Sequence, residues 1–182
     1  MNPLFFREGR VLRLARPFRD LRHDPRPRRR EPHGFRIALA RLDLGDPPMS
    51  VLKIRAALET ALAAMSPALA TAWENTTYTP VSGTPYQRVS MSFAEPVNTE
   101  YGRSFQQGGI FVVTLCYPQG AGPADAAARI ELLRSTFYRG ASFTSDGLTT
   151  TVARTPLILA ATLEGDRYVV PVQVPFLATI TS

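Results

Sequence analysis

From Ser50 onward, the spacing of apolar positions changes from a helical period to a period of two and back, and those changes mark the elements. Val51, Ile54, Leu58, Ala61, Leu62 and Met65 recur at the three-and-four spacing of one helical face. Ser50 can cap that helix, and Pro67 ends it. A second helix is marked at both ends. Gly122-Pro123 opens it with proline at the first helical position, and Asp125 sits in the positive first turn. Ile130, Leu133 and Phe137 form its apolar stripe, Arg139 suits its last turn, and Gly140 closes it. Each helix is amphipathic, so each needs a flat apolar surface to lie against.

Strands supply that surface. Val89, Met91 and Phe93 alternate with Arg88, Ser90 and Ser92, as in a strand with one wet face. Ile110–Tyr117 is apolar at both parities and suits a central strand. A Thr-rich run over 148–154 and an apolar run over 157–163 follow, and Gly165-Asp166 turns the chain into 168–180. The order reads as α+β: one mostly antiparallel sheet of five to six strands with two helices packed on one face.

In the last strand, Val170, Val172, Val174 and Phe176 form one face while Pro171 and Pro175 share the other. Two prolines of equal parity remove N–H donors from one side only, so this strand is expected at a sheet edge, blunted against strand addition. Between the strands ending near Phe93 and starting near Gly109 runs a connection over 94–108 with no apolar periodicity, too long for a tight turn. Tyr101, Arg103, Phe105, Gln106 and Gln107 on it are candidates for a subunit-interface arm, the first three being residue types that anchor interfaces.

Charge divides the chain at Pro47-Pro48-Met49. Residues 1–48 hold 12 Arg, 6 acids and 7 of the 16 prolines, which accounts for the whole net charge of +6. Residues 49–182 hold 9 basic and 9 acidic residues and are neutral. The arginines recur every third position from Arg7 to Arg22, which on a helix drifts around the cylinder instead of forming one stripe. The expectation for 1–48 is a disordered extension, able at most to touch nucleic-acid phosphates without reading sequence. A second reading is that translation begins at Met49. No stretch approaches a membrane span and the start is no secretory signal, so a soluble intracellular product in a reducing compartment is expected.

Chemistry is sparse. His23 and His33 both lie in the arginine-rich head, which leaves 49–182 without a histidine for a triad or metal site. Cys116 falls in the most apolar strand and reads as a structural thiol. The nine acids of 49–182 are scattered singly, and Gly108-Gly109 and Gly120-Ala121-Gly122 lack the lysine and spacing of a phosphate loop. No catalytic, cofactor or metal site is expected. The inventory points to binding or assembly.

Several pieces in order carry a resemblance: Ile54-Arg55-Ala56-Ala57-Leu58-Glu59, Thr71-Ala72-Trp73-Glu74-Asn75, Thr84-Pro85-Tyr86-Gln87-Arg88-Val89, Gln107-Gly108-Gly109-Ile110-Phe111, Cys116-Tyr117-Pro118-Gln119-Gly120-Ala121-Gly122 and Val170-Pro171-Val172-Gln173-Val174-Pro175-Phe176. Over about 49–180 the chain resembles the tail terminator-like proteins of tailed bacteriophages and prophages. The arginine-rich head has no counterpart in that pattern.

That resemblance implies a non-enzymatic virion protein at the head-proximal end of the tail, assembled in the bacterial cytoplasm. It implies a ring of copies, usually a hexamer, that caps the tail tube, ends tube polymerisation and offers a surface to the head connector. DNA would be met only as genome passing through the channel, and no membrane is involved. A head–tail joining protein or tube protein is the near alternative. A nucleic-acid-binding protein acting through the basic head is the remote one.

Overall fold

The computed structural model describes residues 50–98 and 101–181. The readings of residues 1–48, as a disordered extension or as untranslated, lie outside the described residues. Ten elements follow one another: helix α1 (Ser50–Ala63), strands β1 (Ala70–Ala72), β2 (Tyr86–Phe93) and β3 (Phe105–Pro118), helix α2 (Ala124–Thr136), then β4 (Ser142–Ser145), β5 (Leu148–Val152), β6 (Leu157–Ile158), β7 (Thr162–Glu164) and β8 (Arg167–Ile180).

The fold is α+β, and the sheet has the order β1-β2-β3-β8-β5-β4, with β6 and β7 also paired to β8. The sheet is mixed, because β1 runs parallel to β2 where antiparallel neighbours were expected. It has eight strands rather than five to six. The apolar run 157–163 breaks into β6 and β7, and β1 and β4 carry no apolar alternation that would announce them. Ala-Thr-Ala becomes a strand because β2 offers it a register, Ala70 opposite Tyr86. Ser-Phe-Thr-Ser does so because a two-residue turn returns it along β5. Asp146 and Gly147 both take positive φ, 46° and 77°, the backbone a twisted hairpin turn needs.

Alternation then builds the core. Phe111, Val113 and Leu115 on β3 and Val170, Val172, Val174 and Phe176 on β8 face the same side, and all are buried. Ile54, Leu58 and Leu62 from α1 and Ala126, Ile130, Leu133 and Phe137 from α2 pack onto them in one cluster. Val51 turns out to solvent at 47% exposure, and Ala57 takes a buried place instead. Pro123 precedes α2 as its N-cap rather than opening its first turn, and the Phe137 N–H closes the other end on Leu133 O at 2.8 Å.

β8 is an interior strand, not the edge strand that Pro171 and Pro175 suggest. β3 pairs with it over 14 residues, and β7, β6 and β5 line its other side. The reason lies in what proline keeps. It removes a donor but retains its carbonyl, and Pro171 O accepts from Leu159 N at 2.9 Å while Pro175 O accepts from Ala153 N at 2.8 Å. Pairing on that side is therefore interrupted rather than abolished, in pieces of three, two and three residues.

Candidate functional site

The arm over 94–108 is shorter than its sequence suggests. β3 already begins at Phe105, so Phe105, Gln106 and Gln107 belong to the sheet, paired to Ile180, Thr179 and Ala178. Phe105 packs against the core. Gln106 exchanges both backbone bonds with Val97 at 2.9 Å, which lays the arm's root along β3. Gln107 is buried, and its Nε2 donates to Ala94 O at 2.8 Å and Gly108 O at 2.9 Å, a purely local tie. Of the five residues singled out, only Tyr101 and Arg103 stand free in solvent, with Val97 also exposed. The structure does not bring all five together on one surface.

The second feature is the sheet face turned away from the helices. At one end a loop covers it: Arg167 donates to Thr84 O and Val81 O, both at 2.7 Å, and its guanidinium lies 5.4 Å from the Tyr86 ring centre. Tyr86, Cys116 and Val169 are buried there in a small separate cluster with Tyr78 and Ala72. Cys116 is fully buried, and burial pushes its thiol above the usual thiol range. Arg88 and Glu164 pair at 2.9 Å beside it. Further along, Ile110, Val112, Pro171 and Pro175 are only half-buried, and Leu157, Leu159 and Leu177 are exposed at 54%, 38% and 38%. Among the described residues no helix covers them.

Recesses also open among the described residues, and the first borders Leu177 of that face. A cleft of about 660 Å³ between the start of α1 and the ends of β5 and β8 holds the Lys53–Asp146 ion pair, 2.9 Å, among threonine hydroxyls. A smaller one of about 260 Å³ lies between Pro67–Leu69 and α2. At its floor is a polar chain that the sequence reading missed. Arg129 Nη1 donates to Pro67 O at 2.7 Å, Nη2 donates to Gln87 Oε1 at 3.2 Å, and Gln87 Nε2 donates to Thr71 Oγ1 at 2.9 Å. Arg129 and Gln87 are 6% and 1% exposed, and burial lowers the Arg129 pKa. A signal was there: Arg129 falls within the stripe Ala126, Ile130, Leu133, and Gln87 shares the parity of Val89. Two polar residues on two apolar faces announce a buried pair. Its partners are all neutral, so it ties elements together and has no acid–base couple.

Among the described residues no group of three His, Cys, Asp or Glu could hold a metal ion, and no helix is long and apolar enough to cross a membrane. What the arrangement offers is surface: the exposed side chains Val97, Tyr101 and Arg103, and a half-apolar sheet face that carries the Arg88–Glu164 pair.

A family model described as phage tail terminator protein matches residues 53–176. Among solved structures three chains match. One is 26% identical with a TM-score of 0.58, and the alignment covers 74% of this chain and 99% of that one. No curated protein matches.

Proposed function

The chain belongs to the phage tail terminator family, and from that premise we propose that copies of it close into a ring, a hexamer, that caps the tail tube. The family is structural, its members working with other tail and head proteins of the virion. The finer role proposed is to stop tube-protein addition and to present the opposite face to the head connector. A cap of this kind needs one face complementary to the last tube ring and another that refuses a further tube subunit. Ring closure needs a head-to-tail contact whose rotation closes.

The observation that carries this reading is the family match over 53–176, which takes in both strands bordering the arm. The exposed Tyr101 and Arg103 support the arm as the element that reaches a neighbouring subunit. The Arg-rich segment 1–48 is proposed as an extension outside that working domain.

Purified protein added to polymerising tail tube tests the reading. Capping yields shorter tubes of fixed end structure. Tubes that lengthen by incorporating the chain would identify a tube protein instead, and unchanged tubes with binding to isolated heads would identify a head–tail joining protein. Deleting 98–103 should lower the oligomeric state in light scattering; an unchanged oligomer counts against the arm.

A further inference from the structure

We propose that the smaller recess, between Pro67–Leu69 and α2, is a binding site for a single carboxylate on a short apolar stem, held at the buried guanidinium of Arg129. Among the described residues two arginines are buried, Arg129 and Arg167. Arg167 has a counter-ion, because its Nε lies 3.3 Å from Asp166 Oδ1. Arg129 is as deeply buried, yet it donates only to the neutral acceptors Pro67 O and Gln87 Oε1. Its Nε is shielded from solvent and has no hydrogen-bond partner. A guanidinium carries five donors in a rigid fork. Holding that cation out of water with no opposite charge beside it is costly, and an idle buried donor adds to the cost. An arriving anion relieves both.

The recess gives the anion a way in. Leu69, Ala128 and Leu132 stand in its apolar wall, and Tyr117 and Asp125 are its other polar side chains. At about 260 Å³ it is smaller than the roughly 300–1,000 Å³ that holds a drug-sized ligand, so its occupant is about the size of one side chain. Burial pushes the Tyr117 hydroxyl above the usual phenol range, which keeps its proton available to donate.

Charge selects the class of ligand. A phosphate ester brings about two negative charges, which would face one guanidinium and the Asp125 carboxylate. A neutral apolar molecule would leave Arg129 uncompensated. A carboxylate brings one charge and accepts from a guanidinium in a charge-assisted bond, roughly twice as strong as a neutral one. Pro67 and Gln87 already fix the guanidinium, so little side-chain freedom is lost on binding. Asp125 is exposed in the first turn of α2, where solvent screens its opposition to an anion. A free short-chain acid and a glutamate side chain share the chemistry required.

The test titrates the full chain with 4,4,4-trifluorobutyrate, followed by fluorine NMR. The signal should shift to saturation with a midpoint on the order of 1–10 mM, while 4,4,4-trifluorobutanol gives no saturating shift. Ala128→Phe fills the recess from an exposed helical position and should raise the midpoint at least about tenfold, with circular dichroism checking the fold. Asp125→Asn should lower it. Butyrate and a capped peptide with one central glutamate then compete for the bound probe. Displacement at lower concentration by the peptide supports the site with a protein side chain as its ligand, and the reverse supports it with a free acid. No saturating shift, equal binding of the alcohol, or a midpoint unmoved by Ala128→Phe would each overturn the proposal. So would unchanged binding in folded Arg129→Met protein.

Discussion

Gly109 lies directly opposite Phe176 across the β3–β8 ladder, and the Phe176 ring occupies the place where a side chain at 109 would begin. A Cβ there would overlap the ring and the Ser92 carbonyl on the other flank. Phe93 meets the same ring edge-on with centroids 5.8 Å apart, so the ring is held from the side as well. The glycine serves close approach here, not a left-handed backbone.

Gly109→Ala should therefore destabilise by about 2 kcal/mol through overpacking, lowering the melting temperature by on the order of 5 °C. Phe176→Leu in the same chain should recover part of that loss. A double-mutant cycle with no coupling would mean the two do not contact.

Arg129→Met keeps the apolar stem but deprives Pro67 O and Gln87 Oε1 of donors. The expected cost is about 2 kcal/mol, read as a lower urea midpoint at unchanged slope. Adding Gln87→Leu should cost less than a second such loss, because removing both partners leaves fewer orphaned groups. Strict additivity would argue against the bond.

Cys116, the single cysteine, is 0% exposed and its thiol is raised by burial. Native protein at pH 8 should resist an aromatic disulfide reagent for hours, and one thiol per chain should react promptly in guanidinium. Fast stoichiometric labelling of native protein would contradict this.

Burial also pushes the Tyr86 and Tyr117 hydroxyls above the usual phenol range. The native state keeps all three protons to higher pH than the unfolded chain does. Their contribution is thus fully present at neutral pH and is lost as pH rises through and beyond the ordinary thiol and phenol range. Urea unfolding across pH 8 to 11 should show stability falling at the alkaline end, and Tyr117→Phe should flatten part of that fall.

Gly147→Val should weaken the β4–β5 hairpin by about 1 kcal/mol or more, since Gly147 sits at φ 77° where a β-branched residue is strained. Hydrogen exchange at Thr149–Thr151 should rise. Uniform loss of protection across the sheet would instead mean that the hairpin is not a local unit.

Both helices, β2, the heart of β3 and the whole of β8 were legible from the chain, because their apolar positions recur at the period of the element they form. β5 was legible as well, from the Thr-rich run over 148–154, whereas the short strands β1 and β4 were not. β1 and β4 exist through partners that lie 16 and 9 residues away, as Ala70–Tyr86 and Ser142–Thr151 show. The candidate arm was legible as a connection, while its end was not, since Phe105–Gln107 become strand only by meeting Ala178–Ile180.

By itself the sequence determined the α+β class, the neutral domain set beside a basic head, and the parity of Pro171 and Pro175. Tertiary structure decided that β8 is interior, that Gln87 and Arg129 meet, and which sheet face the two helices cover. Periodicity is a local property, written within a few residues. Which strand lies beside another, and which face the helices cover, depends on contacts between distant segments that no local pattern encodes.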